Sequence, residues 1–369
     1  MKNRLDQWIT VVGFCAVLGI MSALYLALPK TDFSQTEKRY LEKPPVLTWE
    51  TLSSGQFGAD METYMADHIP GRDVLVGLNA YFERFTGRQV AKDISAAEDG
   101  RLVEKPVQWN EAMAQKNVSA INSFADIVGR PVDLMIVPSA GWASEDMIQG
   151  LSAPYEDAAI IERLYDFAQV DTVDVLSVFA GMDAPSLYYK TDHHWTSLGA
   201  YTAYKTYMEQ VGKPYKRAEE FTVETVADFK GSTYSRAALW LTDGEDLELW
   251  HSDSQLTVTN GEAEGIHEGV FYRERLEEAD KYTVYLDGNH SIVRIQNPAG
   301  EGKILVIRDS YSNCLGTFLA ESYAEVVLVD LRYYKNPISE LCQQENFDQI
   351  LVCYSIGNFM TDTNLVWLR

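Results

Sequence analysis

Three short apolar runs late in the chain leave little freedom in how it can fold. They are KILVI at 303–307, EVVLV at 325–329 and QILVCY at 349–354. Each is short for a helix and rich in β-branched residues, and none alternates apolar with polar residues. A strand that is apolar on both faces has to be covered on both, as in a parallel sheet between helical layers. The segments in between, YSNCLGTFLAESY (311–323) and PISELCQQE (337–345), are helical in pattern. An earlier block has the same rhythm: helix over 110–128, strand in VDLMIVPS (132–139), helix over 156–169, strand in VDTVDVL (170–176), helix over 196–211. Such alternation predicts an α/β fold with a parallel sheet flanked by helices. Residues 214–300 separate the two blocks. Their alternating runs LELW, QLTVT and SIVRIQ and the turns TDGED, TNGE and LDGN predict a β-rich insertion. No fixed-period repeat or glycine-rich phosphate loop is present.

The start of the chain is of another kind. Residues 8–28, WITVVGFCAVLGIMSALYLAL, carry no charge, and at helical rise that length crosses a bilayer core. The run is long for a signal peptide, so an uncleaved transmembrane anchor is the expectation, with a cleaved signal as its rival. Lys2 and Arg4 precede it, which predicts a cytoplasmic N-terminus and an extracytoplasmic remainder from residue 30 onward. DFSQTEKRYLEKPPVLTWETLSSGQF reads as an extended tether. Two helices broken at Pro70-Gly71 then lead into the main domain. The expected organisation is 1–29 stub and anchor, 30–107 tether and lead-in helices, and 108–369 main domain with the β-rich insertion.

Charge narrows the function. With 31 Lys and Arg against 54 Asp and Glu, the net charge is −23. A surface so acidic repels phosphate backbones, so nucleic acid is not an expected partner. Cys15 lies in the apolar run, leaving Cys314, Cys342 and Cys353, with no CxxC or Cys/His metal spacing. Buried free thiols are expected; one disulfide is the alternative.

Two of only six histidines stand together in YYKTDHHWTSLGAYTAY (188–204). One reading is a loop that caps the following helix at Thr196 and Ser197. The other is half of a catalytic group. In open α/β sheets functional groups gather at the carboxyl ends of strands. The strand KILVI ends in Arg308-Asp309-Ser310, and a helix begins at once. Ser310 or Asp309 either caps that helix or puts a serine Oγ on a sharp strand-to-helix turn beside helix-start N–H groups. A serine needs a base, and histidine serves when a carboxylate orients it. Asp192 and His194 are spaced for one loop to hold both. A zinc site on Asp192, His193 and His194 is disfavoured, because adjacent residues rarely converge on one ion.

TDHHWTSLGAYTAY resembles the signature of the DHHW family, related to the alginate O-acetyltransferases of the SGNH hydrolase-like class. KGSTYSRA, YLDGNHSIVRI, LVIRDSYSNCLGTFLAESY, VDLRYY and DQILVCYSIGNF resemble further family segments in the expected order. The resemblance implies Ser310 as nucleophile, His194 as base and Asp192 as its orienting carboxylate. It implies O-acetylation of a cell-surface or secreted polysaccharide, with esterase and glycan-binding scaffold as alternatives. It further implies a polytopic membrane acyltransferase as acetyl-donor partner, a polysaccharide acceptor, and no cofactor or metal. Arg308 stands where the broader class has glycine, which leaves the oxyanion donors open. The Ser310 N–H leads, Asn289 is weaker, and Asn358 ends the last strand. Arg308 and Trp142 are substrate-binding candidates, each with a packing alternative. Tyr333, Tyr334 and Arg332 divide the same way, and His290 reads as structural. NVS at 117 and NHS at 289 match a glycosylation sequon that often arises by chance.

Overall fold

The computed structural model describes residues 2–86, 90–91, 93–148, 153–261 and 265–368. Two compact units are present: Met1–Arg88 with Ala238–Trp240, and Gln89–Ala237 with Leu241–Arg369.

The first unit opens with the helix Lys2–Ala27. Its segment Gln7–Ala27, of mean hydropathy 2.2, is long and apolar enough to cross a membrane, which supports a single anchor. The tether is less extended than expected. Phe33–Ser34 pairs antiparallel with Arg39–Tyr40, and Arg39 makes a two-pronged contact with Asp67 at 2.9 and 2.5 Å. That hydrogen bonding outweighs burial and holds the Asp67 carboxyl down at about 2. Helices Gln56–Asp67 and Arg72–Phe85 follow, separated at the predicted break, where Gly71 takes the left-handed φ of 70°.

The second unit is built on one sheet of eight strands. In chain order they are β1 (Val132–Val137), β2 (Asp171–Thr172), β3 (Thr257–Asn260), β4 (His267–Glu268), β5 (Ile292–Gln296), β6 (Lys303–Arg308), β7 (Glu325–Val329) and β8 (Gln349–Ser355). The spatial order is β4-β3-β5-β7-β6-β8-β1-β2. The five strands from β7 to β2 are parallel. β5 pairs antiparallel with β7, and β3 and β4 continue antiparallel beyond it. The sheet is therefore mixed, not wholly parallel as expected. The region read as an insertion supplies the antiparallel edge, and only its strands Thr222–Phe229 and Glu245–His251 form a separate pair.

The apolar runs behave as a sheet buried on both faces requires. On β6, Ile304 and Val306 join one core while Leu305 and Ile307 join the other. On β8, Leu351 and Cys353 face the first core, and Ile350, Val352 and Tyr354 the second. Helices Ser197–Gln210 and Ser312–Leu319 supply the first core with Ala200, Tyr204, Leu315 and Phe318. Helices Glu111–Val128 and Asp157–Phe167 supply the second with Val118, Ile121, Ile160 and Leu164. VDTVDVL is the one misread element of these blocks. It pairs only through Asp171–Thr172; Asp174 Oδ1 then accepts the Ser177 N–H at 3.0 Å and starts the helix Val175–Ala180.

Candidate active site

β6 lies between β7 and β8, parallel to both, and its carboxyl end delivers Arg308, Asp309 and Ser310. The chain turns sharply there and enters the helix Ser312–Leu319. Asp309 secures the turn. One of its oxygens accepts the Tyr311 N–H at 3.0 Å. The other accepts Ser355 N–H at 2.9 Å, Ser355 Oγ at 2.8 Å and Asn358 Nδ2 at 2.8 Å. Asp309 thus ties the end of β6 to the end of β8 and does not act as a helix cap. The Ser310 N–H has no hydrogen-bond acceptor among the described residues.

The histidine motif closes on itself. Tyr188 and Trp195 form an antiparallel bridge, and Thr196 caps the following helix by accepting the Gly199 N–H at 3.3 Å. Asp192 and His194 project inward from the loop between. His194 Nδ1 lies 2.5 Å from Asp192 Oδ1, and His194 Nε2 lies 2.8 Å from Ser310 Oγ. An ionised carboxylate only accepts, so the ring proton sits on Nδ1 and Nε2 is left to accept from the serine hydroxyl. All three residues are buried; Ser310, the most open, is 8% exposed. Burial alone would raise the Asp192 carboxyl. The two adjacent imidazoles and the hydrogen bonds from His194 and the Ser232 N–H outweigh it and hold that carboxyl well below the usual range.

Sequence reasoning missed what supports this loop. Gly231-Ser232 lies about 40 positions downstream and forms its platform. Ser232 N–H donates to Asp192 Oδ2 at 2.6 Å, and a Cβ on Gly231 would sit 2.2 Å from Asp192 Cβ, so only glycine lets the chains approach this closely. Glu245 accepts from the N–H groups of Lys190 and Thr191, both at 2.7 Å. Tyr282 stacks on the His194 ring, 3.9 Å between centroids and 7° from parallel. KGSTYSRA was visible as a family-like segment, but nothing in it signals which residue it would meet.

His193 takes a different position from its neighbour. Its Nδ1 lies 2.6 Å from Ser232 Oγ, and its side chain is 25% exposed. Burial, reinforced by the neighbouring His194 imidazole, pushes its pKa down. It lines a cleft of about 880 Å³ together with Glu104, Trp109, Arg236, Tyr311 and Asn358. Contrary to expectation, the ligating atoms of Asp192, His193 and His194 do converge, within 4.8 Å of one another. Those atoms are engaged, since both nitrogens of His194, both oxygens of Asp192 and Nδ1 of His193 contact protein groups. A metal here would have to break the Asp192–His194 contact, so the donor set suits a proton relay better.

The remaining candidates divide. Asn358 lines the cleft while its amide holds Asp309. Arg308 is wholly buried; its Nη1 donates to Asn313 Oδ1 at 2.6 Å and Asn289 Oδ1 at 3.1 Å. Burial pushes the Arg308 guanidinium down to about 10. Asn289 also accepts from Asn313, so Arg308, Asn289 and Asn313 form one network that braces the β6 turn. Trp142 packs on the first core. Arg332 is paired with Asp330 at 2.6 Å. His290 contacts Asp287, as a structural residue would. Asn117 is buried and donates to the carbonyls of Phe359 and Asp362, which leaves the first sequon inaccessible. Cys314, Cys342 and Cys353 are free and buried.

Comparison with known proteins bears on the family and the fold. The family described as DHHW protein matches residues 108–329. A DHHW family protein from Eubacterium siraeum superposes with a TM-score of 0.66 at 21% identity, over 75% of this chain and 95% of that one. Bacillus cereus PatB1 superposes with a TM-score of 0.61 at 20% identity, over 73% and 96%. At these identities the likeness is one of fold. No curated protein matches the chain in sequence.

Proposed function

The chain belongs to the DHHW family, and we propose that it is a membrane-anchored serine acyltransferase of the SGNH hydrolase-like class. Its product would be an O-acetylated cell-surface or secreted polysaccharide. One observation carries the proposal: the continuous contact from Asp192 through His194 to Ser310 at the carboxyl end of a central strand.

In this reading Ser310 Oγ attacks the carbonyl carbon of the donor's acyl group as its proton passes to His194 Nε2. Asp192 stabilises the imidazolium that forms. The Ser310 N–H is the proposed donor to the oxyanion of the tetrahedral intermediate. Collapse expels the donor's alcohol or thiol, which takes the proton from His194, and leaves an acyl-Ser310 ester. A sugar hydroxyl entering from the cleft, which the neighbouring His193 and Tyr311 line, then gives its proton to His194 and attacks that ester. Transfer of the acyl group to the sugar returns the proton to Ser310. The acetyl donor would be a polytopic membrane acyltransferase, beside which the Gln7–Ala27 anchor would hold the extracytoplasmic domain, with the N-terminus in the cytoplasm.

PatB1, a neighbour in fold, has been solved with a sulfonyl adduct, which commends sulfonyl reagents as probes of this site. The test of function follows acetyl groups from a chromogenic acetyl ester into candidate glycans by mass spectrometry. Acetylated glycan supports the transferase. Acetate release alone supports an esterase using the same acyl-enzyme. Neither, in a folded protein that binds glycan, supports a scaffold.

A further inference from the structure

The helix Arg72–Phe85 carries its apolar residues on the wrong side for an ordinary surface helix. Val74, Leu75, Leu78, Phe82 and Phe85 recur along one face and are 64, 50, 61, 65 and 90% exposed. The buried face holds the small residues Gly77 and Ala80. A Cβ on Gly77 would lie 2.4 Å from the Trp240 indole, whose Nε1 donates to Asp73 O at 2.7 Å. These contacts fix the rotation of the helix with its apolar stripe outward. A soluble surface selects the opposite pattern.

The start of this helix is tied to the end of the membrane-crossing segment. His68 Nε2 lies 3.2 Å from the carbonyl of Thr31, just past Ala27. Lys30 reaches back to the Tyr25 carbonyl at 2.6 Å and sits over the Tyr25 ring. A lysine and tyrosine at the end of an apolar span are typical of the water boundary of a bilayer. Aromatic residues, which favour the same boundary, are also exposed nearby in sequence: Trp49 is 83% and Tyr40 78% exposed.

We infer that Arg72–Phe85 is an interfacial helix that lies on the bilayer, with Leu78, Phe82 and Phe85 among the lipid headgroups and upper acyl chains. It is a second membrane contact beside the anchor, and it stands whatever chemistry Ser310 performs. A lipid surface is favoured over a protein partner because the helix follows directly on the contact that His68 makes with the end of the anchor, and because its outward stripe is apolar, with the exposed Asn79 and Arg84 only at its flanks.

The test uses the full chain in phosphatidylcholine vesicles, with intact mass confirming that residues 1–29 are retained. In a Cys15→Ser background, nitroxide labels are placed at Phe82→Cys and, separately, Phe85→Cys. Lys116→Cys, exposed on the helix Glu111–Val128, is the aqueous reference. The inference predicts that labels at 82 and 85 collide freely with dissolved oxygen and several-fold less with a polar nickel chelate than the label at 116 does. Nickel accessibility equal to that at 116 would overturn it. Shielding from both reagents would also overturn it, by indicating a protein cover such as a second copy. A chain that had lost its first 29 residues would contradict it equally.

Discussion

His194 Nε2 and Ser310 Oγ are 116 positions apart in sequence and 2.8 Å apart in space. The adjacent His193 turns to Ser232 and the cleft. The two histidines should therefore respond differently to substitution. His194→Ala should lower the turnover of an activated acetyl ester by roughly 10⁴-fold or more, and Asp192→Asn by a similar order through the wrong imidazole tautomer. His193→Gln should leave ester turnover within reach of wild type. Steady-state kinetics with circular dichroism as a folding control decides this; equal losses at 193 and 194 would contradict the assignment of the base.

Gly231→Ala is predicted to be damaging out of proportion to its size. The added methyl meets Asp192 Cβ and Oδ2, and overpacking of this kind costs about 1–3 kcal/mol. Relief requires Asp192 to move, so ester turnover should fall far more than the melting temperature. A variant with undiminished turnover would show that the Gly231 platform does not set the position of Asp192.

The carboxyl of Asp133 gives a pH-dependent prediction. Burial, opposed by the Tyr207 hydroxyl at 3.3 Å, pushes it up to about 6. Between about pH 4 and 6 the native state binds the proton more tightly than the unfolded chain, so this group lowers stability as pH rises through that window. Asp133→Asn should raise stability at pH 7 by up to about 3 kcal/mol, an order-of-magnitude figure from about two pH units, and bring little gain at pH 4. Urea melts at the two pH values test it; a gain equal at both would refute the titration.

The thiols give a redox prediction. Burial raises Cys314 to about 12 and Cys342 to about 11, and pushes Cys353 higher still. Thiolate is the reactive form, so a disulfide-exchange reagent should spare all three in the native protein and modify them on unfolding. Rapid native reaction at Cys314 would contradict its burial.

Much of this arrangement was legible in the sequence. β1, β6, β7 and β8 were readable because burial on both faces selects continuous apolar runs, and Ser310 because it ends one of them. Strand direction was not, because periodicity reports which faces are buried and not how neighbouring strands run. The antiparallel β5 therefore looked like part of an insertion. VDTVDVL misled because its alternation fits a strand, whereas Asp174 caps a helix within it. Asp192 and His194 were readable from their spacing in one loop. Gly231, Ser232 and Tyr282 were not, because their role depends on contacts about 40 to 90 positions away. Trp142 and Asn289 looked available for binding, but packing and the buried Arg308 occupy them.

The proposed role of Ser310 is that of a nucleophile activated by His194. Intact-protein and peptide mass spectrometry after treatment with a sulfonyl fluoride tests it most directly. A single adduct is expected on the peptide containing Ser310, formed rapidly at neutral pH, absent in Ser310→Ala and strongly slowed in His194→Ala. A folded wild-type protein that stays unmodified, or one equally labelled when Ser310 is alanine, would contradict it.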